Sequence, residues 1–396
     1  MVFQNPILLL KCNYTIQLKK QKIGIDIRDL KIAKTGAHTY LSELCKAINN
    51  KQDLQFQYVF LDTRLPIYTG SHKIGKLWEQ INYVFWKQVT LPIKAWLNGC
   101  RLVFCTDYFV PYTQLSFTTI PVFHDAFFWE YPAHYNKYWL WFFNTLGVSA
   151  AKKSSAIVTV TNYAKQQIAT YSGIDAAKII PIHIGPKSSI IEPQQKIDPH
   201  SSGNNWQQLL QKKYILHVGT IEKRKNLATL ITAFEQHIIS TQQEIYLIIV
   251  GQKSNKPTLQ DNAVFEMVAA SSLLKERVIF TGFLPDFQTA ELYKHAALYV
   301  FPSVNEGFGI PILEAFAHEV PVLVAGNTCL PEVAGNAAIG FDPLHAQGLG
   351  TLITQTLSDP STLQDLKQKG TERLKHFSWN NTLDALEAVF QRSINR

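Results

Sequence analysis

Residues 301–315 read FPSVNEGFGIPILEA. The apolar run that ends at Phe301 predicts a buried strand, and Pro311 lies near the first position of a helix, where a missing N–H costs nothing. The glycines between them let the backbone approach a ligand closely, and the helix N-terminus offers free amides to an anion. Glu306 precedes the loop and Glu314 lies in the first turns of the helix, so both carboxylates can accept hydrogen bonds from ligand hydroxyls. The alternative interpretation is a glycine turn flanked by two solvated glutamates.

The spacing of these glycines argues against a nicotinamide coenzyme. Gly307 and Gly309 lack the third glycine of the dinucleotide fingerprint, and they lie in the fourth strand–helix unit of their half of the chain. The fingerprint is also missing after the strand that ends at Ile27. An oxidoreductase is therefore disfavoured.

Apolar runs with strand character recur on both sides of this stretch, and helical patterns separate several of them. They cover 23–27, 58–61, 102–104, 120–123 and 156–160 in the first half, and 214–218, 245–250, 278–280, 298–301 and 320–325 in the second. Strands that alternate with amphipathic helices are typical of parallel sheets. We therefore predict an α/β fold of two doubly wound, Rossmann-like domains facing each other across a cleft, with ligands at the carboxyl ends of the strands.

The segment PKSSIIEPQQKIDPHSSGNN, at 186–205, divides the two halves and has the composition of a linker. The predicted organisation is an N-terminal extension (1–22), an N-terminal domain (23–190), a linker (191–206), a C-terminal domain (207–378) and a last helix (379–396). We expect this last helix to pack back on the N-terminal domain.

The bulk composition limits the partners of the chain. Its 396 residues carry a formal net charge of +8, which suits phosphate-bearing ligands, nucleic acid or an anionic membrane surface. A nucleic-acid arm is disfavoured because no block of five or six like charges is present. Five cysteines without CxxC spacing fit neither a zinc site nor a disulfide framework, and they indicate a reducing compartment. The apolar run at 7–10 is too short for a signal sequence or a membrane span, so we predict a cytoplasmic protein.

A basic loop, GTIEKRKN at 219–226, follows the first strand of the second half. Three consecutive cations, including Arg224 and Lys225, stand directly before a helix whose N-terminus favours anions, and Asn226 is a candidate N-cap. Cations at a helix N-terminus are unfavourable unless negative charge compensates them, and an uncompensated arrangement of this kind suggests a functional site. A bound diphosphate would supply the missing negative charge. The alternative is a solvated basic turn.

Two weaker signals lie in the first half. His124 and Asp125 follow a predicted strand and can face the cleft, although a structural histidine beside a capping aspartate fits the same residues. Gly36, between the first strand and its helix, permits close approach to a phosphate, but turns use glycine everywhere.

Aromatic residues concentrate at 78–96 and at 138–143, and lysines accompany the first of these segments. This pattern fits an interfacial membrane surface. Core packing or the lining of an acceptor cleft explains such segments more often, and we favour that interpretation while keeping peripheral contact with a membrane as the alternative.

Taken together, these residues resemble retaining glycosyltransferases of family 4, also called group 1, which have the GT-B fold. The resemblance runs from about residue 23 to the end, and Glu306 and Glu314 match the EX7E pattern of that family. Further segments fall where the family has its usual motifs, at 161–165, 282–284, 330–335 and 341–343. The chain departs from the family at His38 and Glu319, which replace glycines, and at Thr220, which replaces an arginine that some members use on the phosphate.

The resemblance implies a role for each matching residue. Arg224 and Lys225 would hold the donor diphosphate, Glu306 would contact sugar hydroxyls, and His124 would line the reaction centre. The remaining donor-binding residues it implies are Gly36, Gly219, Gly282, Phe283, Leu284, Gly307, Phe308, Gly309, Ile310 and Glu314. The N-terminal domain would bind the acceptor, and the C-terminal domain the nucleotide-sugar.

The resemblance also implies the chemistry. Family members retain the anomeric configuration by same-face attack, with the departing phosphate taking the acceptor proton. Neither a cofactor nor a metal is expected, because the cations can stabilise the leaving diphosphate and no acidic DxD-type triplet is present. The residues themselves leave Asp125 open as a base.

The loops around His124 and the basic loop look most like bacterial mannosyltransferases of polysaccharide assembly, which favours GDP-mannose over UDP-glucose-type or dTDP-rhamnose donors. The expected acceptor is a glycan or a lipid-linked glycan, at the inner face of the plasma membrane if the enzyme is peripheral. The alternative function is a non-catalytic sugar-nucleotide sensor or scaffold subunit, which would bind donor without turnover.

Overall fold

The computed structural model describes residues 20–32, 36–63, 65–70, 72–132, 135–191, 206–253 and 259–395. The predicted N-terminal extension and linker lie almost wholly outside the described residues. The described part forms two α/β units, each built on a parallel sheet.

Of the twelve strands in the described part, ten match the predicted apolar runs within a few residues at each end, whereas the sixth and the last were not predicted. The strands are β1 Lys22–Asp26, β2 Gln57–Leu61, β3 Cys100–Cys105, β4 Thr118–Pro121, β5 Ile157–Thr159, β6 Ile179–Pro181, β7 Tyr214–Val218, β8 Tyr246–Val250, β9 Val278–Gly282, β10 Leu298–Phe301, β11 Val322–Ala325 and β12 Ile339–Phe341.

The helices fill the intervals between the strands. They are α1 Gly36–Asn50, α2 Lys73–Phe85, α3 Leu91–Leu97, α4 Phe127–Glu130, α5 Lys137–Phe142, α6 Val148–Lys153, α7 Asn162–Ser172, α8 Ser188–Ile191, α9 Leu227–Thr241, α10 Leu259–Ala270, α11 Ser272–Arg277, α12 Asp286–His295, α13 Ile310–Ala317, α14 Leu330–Ala334, α15 Ala346–Ser358, α16 Pro360–Leu374 and α17 Trp379–Ile394. A π-helical turn, Trp86–Thr90, connects α2 to α3, and another, Phe143–Gly147, connects α5 to α6.

The N-terminal sheet has the order β2-β1-β3-β4 with every pair parallel. A bridge between Val122 and Val158 continues it to the β5-β6 pair. The strands are apolar along their whole length because helices cover both faces of a parallel sheet, so the side chains on each side are buried. The carboxyl ends of β1, β3 and β4 therefore lie at one edge, where ligand loops belong in a doubly wound sheet.

The C-terminal sheet has the order β12-β11-β10-β7-β8-β9, again with parallel pairs. β7 and β10 are neighbours at its centre, with Leu298 paired to Ile215. The loops that follow these two strands are the basic loop and the glycine loop predicted from the sequence. Because both strands run the same way, the two loops emerge side by side.

The last helix, α17, packs against the N-terminal sheet. The Phe390 ring meets Phe56 and Phe104 edge to face, and Glu387 accepts hydrogen bonds from the Tyr58 hydroxyl and the Gln55 amide. Lys51, directly after α1, also pairs with Glu387 at 2.9 Å. The C-terminal end of the chain is thus a structural part of the first unit.

Core packing, one of the two preferred explanations of the aromatic segment at 78–96, is wrong for most of its large side chains, and the lining of an acceptor cleft stays a prediction. Trp86 is buried, but Trp78, Phe85 and Trp96 are about half exposed. The helical repeat turns only one side of α2 and α3 toward the sheet, so the residues on the other side face solvent. At 138–143 the outcome is mixed, since the Trp139 and Phe143 rings stack in an aromatic cluster while Tyr138 and Trp141 are exposed.

Candidate active site

The basic loop and the glycine loop meet through one carboxylate. Glu306 lies between two cations, with its Oε2 2.8 Å from Arg224 Nη1 and its Oε1 2.6 Å from Lys225 Nζ. Arg224 also contacts Glu222 Oε1 through Nη2 at 2.6 Å. Glu306 thus joins Lys225 and Arg224, which lie 81 and 82 positions before it in the sequence, and together with Glu222 they form one network of two cations and two anions.

Backbone contacts hold the two loops in this register. The Val304 amide donates to the Arg224 carbonyl at 2.8 Å, and Arg224 Nη1 donates to the Asn305 carbonyl at 3.1 Å. Asn226 stands at the N-cap position of α9, as predicted, but its side chain does not make the capping hydrogen bond. The residue has a left-handed backbone (φ 54°), and its side-chain amide donates across the loops to the carbonyls of Pro302 and Pro343.

The electrostatics of the network correct the expectation that the basic loop is uncompensated. Glu306 and Glu222 supply the negative charge. Glu222 belongs to the basic loop itself, whereas Glu306 comes from another strand–helix unit and could not be assigned from local spacing. Burial acts to raise the pKa of Glu306, but Lys225 and Arg224 outweigh it and hold that pKa at about 2. Burial lowers the pKa of Lys225 more than Glu306 restores it. The Glu306 carboxylate is therefore ionised at neutral pH.

The glycine loop is tightly constrained. Gly309 has φ of +99°, in the left-handed region that favours glycine, and a Cβ on Gly307 would lie 2.5 Å from the His124 carbonyl oxygen. Thr161 Oγ1 donates to the Gly307 carbonyl at 3.1 Å. Cys329 Sγ donates to the carbonyls on either side of Gly307, at 3.1 and 3.4 Å. The Thr161 hydrogen bond and the close approach of His124 hold the loop against the N-terminal unit, and Cys329 holds it within its own unit. Sequence reasoning had given Cys329 no part in this loop.

The loop after β4 faces the basic loop from the N-terminal unit. His124 Nε2 lies 2.8 Å from the Thr106 carbonyl, so this nitrogen carries the proton, and burial lowers the pKa of the imidazole. Asp125 accepts hydrogen bonds from the Tyr108 hydroxyl and the Phe127 amide, and its pKa is raised, chiefly by burial. The Phe127 ring covers the Arg224 guanidinium at 5.2 Å. The structure thus brings His124, Asp125 and Arg224 to one cleft, although the His124 side chain is engaged by backbone as the structural interpretation also allowed.

Comparison with known proteins agrees with this geometry. Residues 204–373 match the family described as glycosyl transferases group 1. The chain is 28% identical to O-antigen chain mannosyltransferase B of Escherichia coli over 262 residues, which cover 66% of this chain and 67% of that protein. It is 30% identical to the serotype-specific mannosyltransferase WbdA of Escherichia coli over 238 residues, 58% of this chain but only 28% of WbdA.

These comparisons support a group 1 glycosyltransferase that resembles bacterial mannosyltransferases. The overall fold of the chain is similar to that of sucrose-phosphate synthase from Thermosynechococcus elongatus, with a TM-score of 0.70 at 16% identity, over 94% of this chain and 99% of that chain. The predicted GT-B architecture is confirmed.

Several donor-binding residues implied by the resemblance lie along the sheet edge of this glycosyltransferase. A Cβ on Gly219 would come within 3.4 Å of the Lys225 side chain, which places Gly219 beside the cation pair. Gly282 has φ of +72°, and Phe283 is exposed after it. Leu284 contributes its side chain to the core, so only its backbone is left to contact a ligand.

The other implied residues are distributed differently. Phe308 turns away from the cations and packs its ring against His183 and Phe377. Ile310 is the first residue of α13, and Gly36 is the first residue of α1, with room around its Cβ position. Their roles toward a donor stay predictions.

Glu314 is separated from the cation network. It is buried on α13 and accepts a hydrogen bond from the Tyr293 hydroxyl at 3.1 Å. Burial raises its pKa to about 7, so this carboxyl differs in protonation from Glu306, whose pKa the two cations hold low. A half-protonated carboxyl can both donate to and accept from a diol.

A contact between the two units was missed by the sequence reasoning. Glu332 on α14 accepts hydrogen bonds from the amides of Asn162 and Tyr163 at the N-terminus of α7, and from His183 Nε2 at 2.9 Å. Burial acts to raise its pKa, but His183 and the Asn162 amide lead the contacts that lower it to about 2. The Glu332 carboxylate therefore joins the two domains. In the sequence, nothing near Glu332 indicates this role except that the residue lies in the segment 330–335, which resembles a family motif.

Within the described residues, one cluster has the ligand types of a metal site. Asp26, Cys105 and Asp107 place their ligand atoms within 4.8 Å of one another. Lys87 Nζ donates to both carboxylates, so a lysine ammonium neutralises them. The predicted independence from metals stays a prediction. Separately, no helix of the described part is long and apolar enough to cross a membrane.

Proposed function

We propose that the chain transfers a hexose from a nucleotide-sugar donor to a glycan or lipid-linked glycan in cell-surface polysaccharide biosynthesis. GDP-mannose is the first donor to test, because O-antigen mannosyltransferases are among the relatives, and UDP-glucose and dTDP-rhamnose are the alternatives. The reaction retains the anomeric configuration and needs neither metal nor cofactor.

One observation carries this proposal: two cations share the Glu306 carboxylate at the mouth of the cleft, opposite the His124 loop. Preorganised cations stabilise charge that develops on a leaving group without reorganisation at the moment of reaction. Arg224 and Lys225 hold the donor diphosphate, and Glu306 turns to the sugar hydroxyls when the phosphates take its place.

The leaving phosphate, rather than Asp125, takes the proton of the acceptor. Asp125 Oδ1 already accepts hydrogen bonds from the Tyr108 hydroxyl and the Phe127 amide, which occupy the oxygen that would have to take the proton. His124 orients the reaction centre, with its Nε2 proton committed to the Thr106 carbonyl. Glu314 binds the ribose diol beside the glycine loop. The enzyme works in the cytoplasm, in peripheral contact with the inner face of the plasma membrane.

A thermal-shift panel of GDP-, UDP-, dTDP- and ADP-sugars with wild type and Lys225→Ala tests the donor assignment. A ligand at a hundredfold its dissociation constant adds about 2.7 kcal/mol, a shift of several degrees. We expect one nucleotide to stabilise wild type, and the variant to lose about 10- to 150-fold in affinity, as for a hydrogen bond between charged groups.

The outcomes separate the candidate functions. Equal stabilisation of both proteins would contradict the assigned role of Lys225. Tight donor binding without transfer to any glycan acceptor would favour the sensor or scaffold function.

A further inference from the structure

The outer face of α2 and α3 is an exposed apolar ridge. The helical path from Lys73 to Leu97 is continuous through the π-helical turn and is about 37 Å long at 1.5 Å per residue. The large apolar side chains that are between 40% and 73% exposed along it are Ile74, Leu77, Trp78, Ile81, Phe85, Val89, Ile93, Trp96 and Leu97. Exposed apolar surface that is continuous over such a length marks an interaction site in a soluble protein.

The sequence spacing keeps these side chains on one side of the helix. The intervals between them are three, four and one residues, which is the repeat of a single helical face. From Ile81 to Ile93 the interval stays at four, and the π-helical turn, with its wider i→i+5 hydrogen bonds, lies inside that stretch. The wider turn compensates the drift that intervals of four produce on an ordinary α-helix, so the ridge stays straight.

The exposed charges between positions 72 and 101 are of one sign. Lys73, Lys76 and Arg101 are exposed there, and Glu79 is the sole acidic residue from position 72 to position 101. Glu79 turns inward, where it pairs with Arg28 and accepts from the Tyr68 amide. The exposed face is therefore apolar and cationic, which complements a surface with an apolar interior and anionic groups at its boundary.

We propose that this ridge, residues 73–97 with Arg101, lies on a lipid bilayer that contains anionic headgroups. The two exposed tryptophans, Trp78 and Trp96, stand near opposite ends of the ridge, and indole rings prefer the headgroup level of a bilayer. Pairing with a second copy of the chain is disfavoured because it would bring like charges of both copies together. The inference deepens the membrane contact named in the proposed function and does not depend on the transfer reaction.

Buried polar contacts attach the ridge to the cleft. On its inner side, the Trp86 indole donates to Asp26 at 3.1 Å, and Lys87 Nζ pairs with the same carboxylate at 2.6 Å. Asp26 is the last residue of β1, at the sheet edge that faces the cleft. A bilayer bound to the outer side would therefore lie beside the acceptor half of the site, where a lipid-linked acceptor is presented.

Vesicle co-sedimentation tests the proposal, with phosphatidylcholine vesicles and vesicles rich in phosphatidylglycerol as probes. Wild type should bind the phosphatidylglycerol vesicles. Lys73→Glu/Lys76→Glu should lower the partition coefficient about 30-fold or more, because each lost cation contributes about a factor of five near an anionic surface and the two new carboxylates are repelled by it. Leu77→Ser/Trp78→Ser should lower it about tenfold or more, because two apolar side chains no longer enter the bilayer.

Matched controls carry the same changes elsewhere. Tyr171→Ser/Ile239→Ser removes exposed apolar side chains, and Lys152→Glu/Lys275→Glu reverses exposed charges, outside the ridge. Both controls should bind vesicles as wild type does. All four variants should keep the wild-type melting temperature within a few degrees and the wild-type nucleotide shift, which excludes misfolding.

Three results would overturn the proposal. The first is that wild type binds neither kind of vesicle. The second is that the ridge variants bind vesicles as tightly as the controls do. The third is that wild type binds no vesicle and is instead a dimer by light scattering, which the Leu77→Ser/Trp78→Ser substitutions dissociate. Failure of the proposed function is distinguishable, because it would remove the nucleotide shift or the sugar transfer and leave vesicle binding intact.

Discussion

Replacing Glu306 by glutamine removes one charge from the centre of the Arg224–Glu306–Lys225 network and preserves its shape. In the wild-type protein the carboxylate contacts both cations at 2.6 and 2.8 Å, and the side chain is 10% exposed. The amide leaves Lys225 buried without a full counter-charge. We expect the variant to fold with a lower free energy of unfolding.

The magnitude follows from the acidity of the group. A carboxyl whose pKa is about 2 in the folded protein, instead of the ordinary 4.5, contributes about 3 kcal/mol at neutral pH. Removal of one partner of a buried pair costs about 3–5 kcal/mol, which is consistent. A loss of about 3 kcal/mol lowers the melting temperature of a domain of this size by about 6–12 °C.

The pH dependence has a definite sign. Because the pKa of Glu306 is depressed on folding, its stabilisation is complete above pH 4.5 and is lost as the pH falls through about 2. The melting temperatures of wild type and Glu306→Gln should therefore differ fully at pH 7 and converge as the pH falls below about 4.5.

Calorimetry of both proteins between pH 7 and pH 3 tests this, with Glu222→Gln as the matched control. Glu222 also pairs with Arg224 but is 28% exposed, so its loss should cost less than about 1 kcal/mol. A Glu306→Gln protein that melts within 2 °C of wild type at pH 7, or a gap that does not narrow in acid, would refute the reasoning.

Three further substitutions have defined outcomes. Gly307→Ala places a Cβ 2.5 Å from the His124 carbonyl oxygen, so we expect the two domains to separate. The radius of gyration measured by X-ray scattering should increase, and the transfer rate should fall at least about tenfold. As the control, Gly36→Ala should keep the wild-type radius of gyration, because its Cβ meets nothing within 4 Å. Glu332→Gln should open the same interface between the domains at pH 7, because the amide no longer accepts as a carboxylate from the Asn162 amide. Since the pKa of Glu332 is depressed, the radius of gyration of wild type should approach that of the variant as the pH falls from 4.5 toward 2. Glu319→Gly should raise the free energy of unfolding by about 1 kcal/mol, and with it the melting temperature, because Glu319 has a left-handed backbone with φ of 54°. An unchanged or lower melting temperature would mean that the backbone at Glu319 is not strained.

The strands and the facing loops were predictable because their signals are local. The apolar runs at 214–218 and 298–301 coincide with β7 and β10, and parallel pairing then requires the basic and glycine loops to emerge at the same edge. The substitution of glycine by Glu319 was noticed in the sequence, and its left-handed backbone explains why glycine suits that position. The orientation of the aromatic segment at 78–96 could not be predicted, because its periodicity defines a face but not whether that face points inward.

By itself, the sequence determined the two α/β halves and indicated the resemblance to group 1 glycosyltransferases, since backbone preferences and burial patterns act over neighbouring residues. The roles of the candidate donor residues stay predictions. Only the tertiary structure decided which charges meet. Glu306 neutralises Arg224 and Lys225 from another strand–helix unit, Glu332 joins the two domains at the start of α7, and α17 completes the first domain from the end of the chain. These contacts depend on how distant segments are brought together, and electrostatic attraction over a few ångströms leaves no trace in the spacing of residues along the chain.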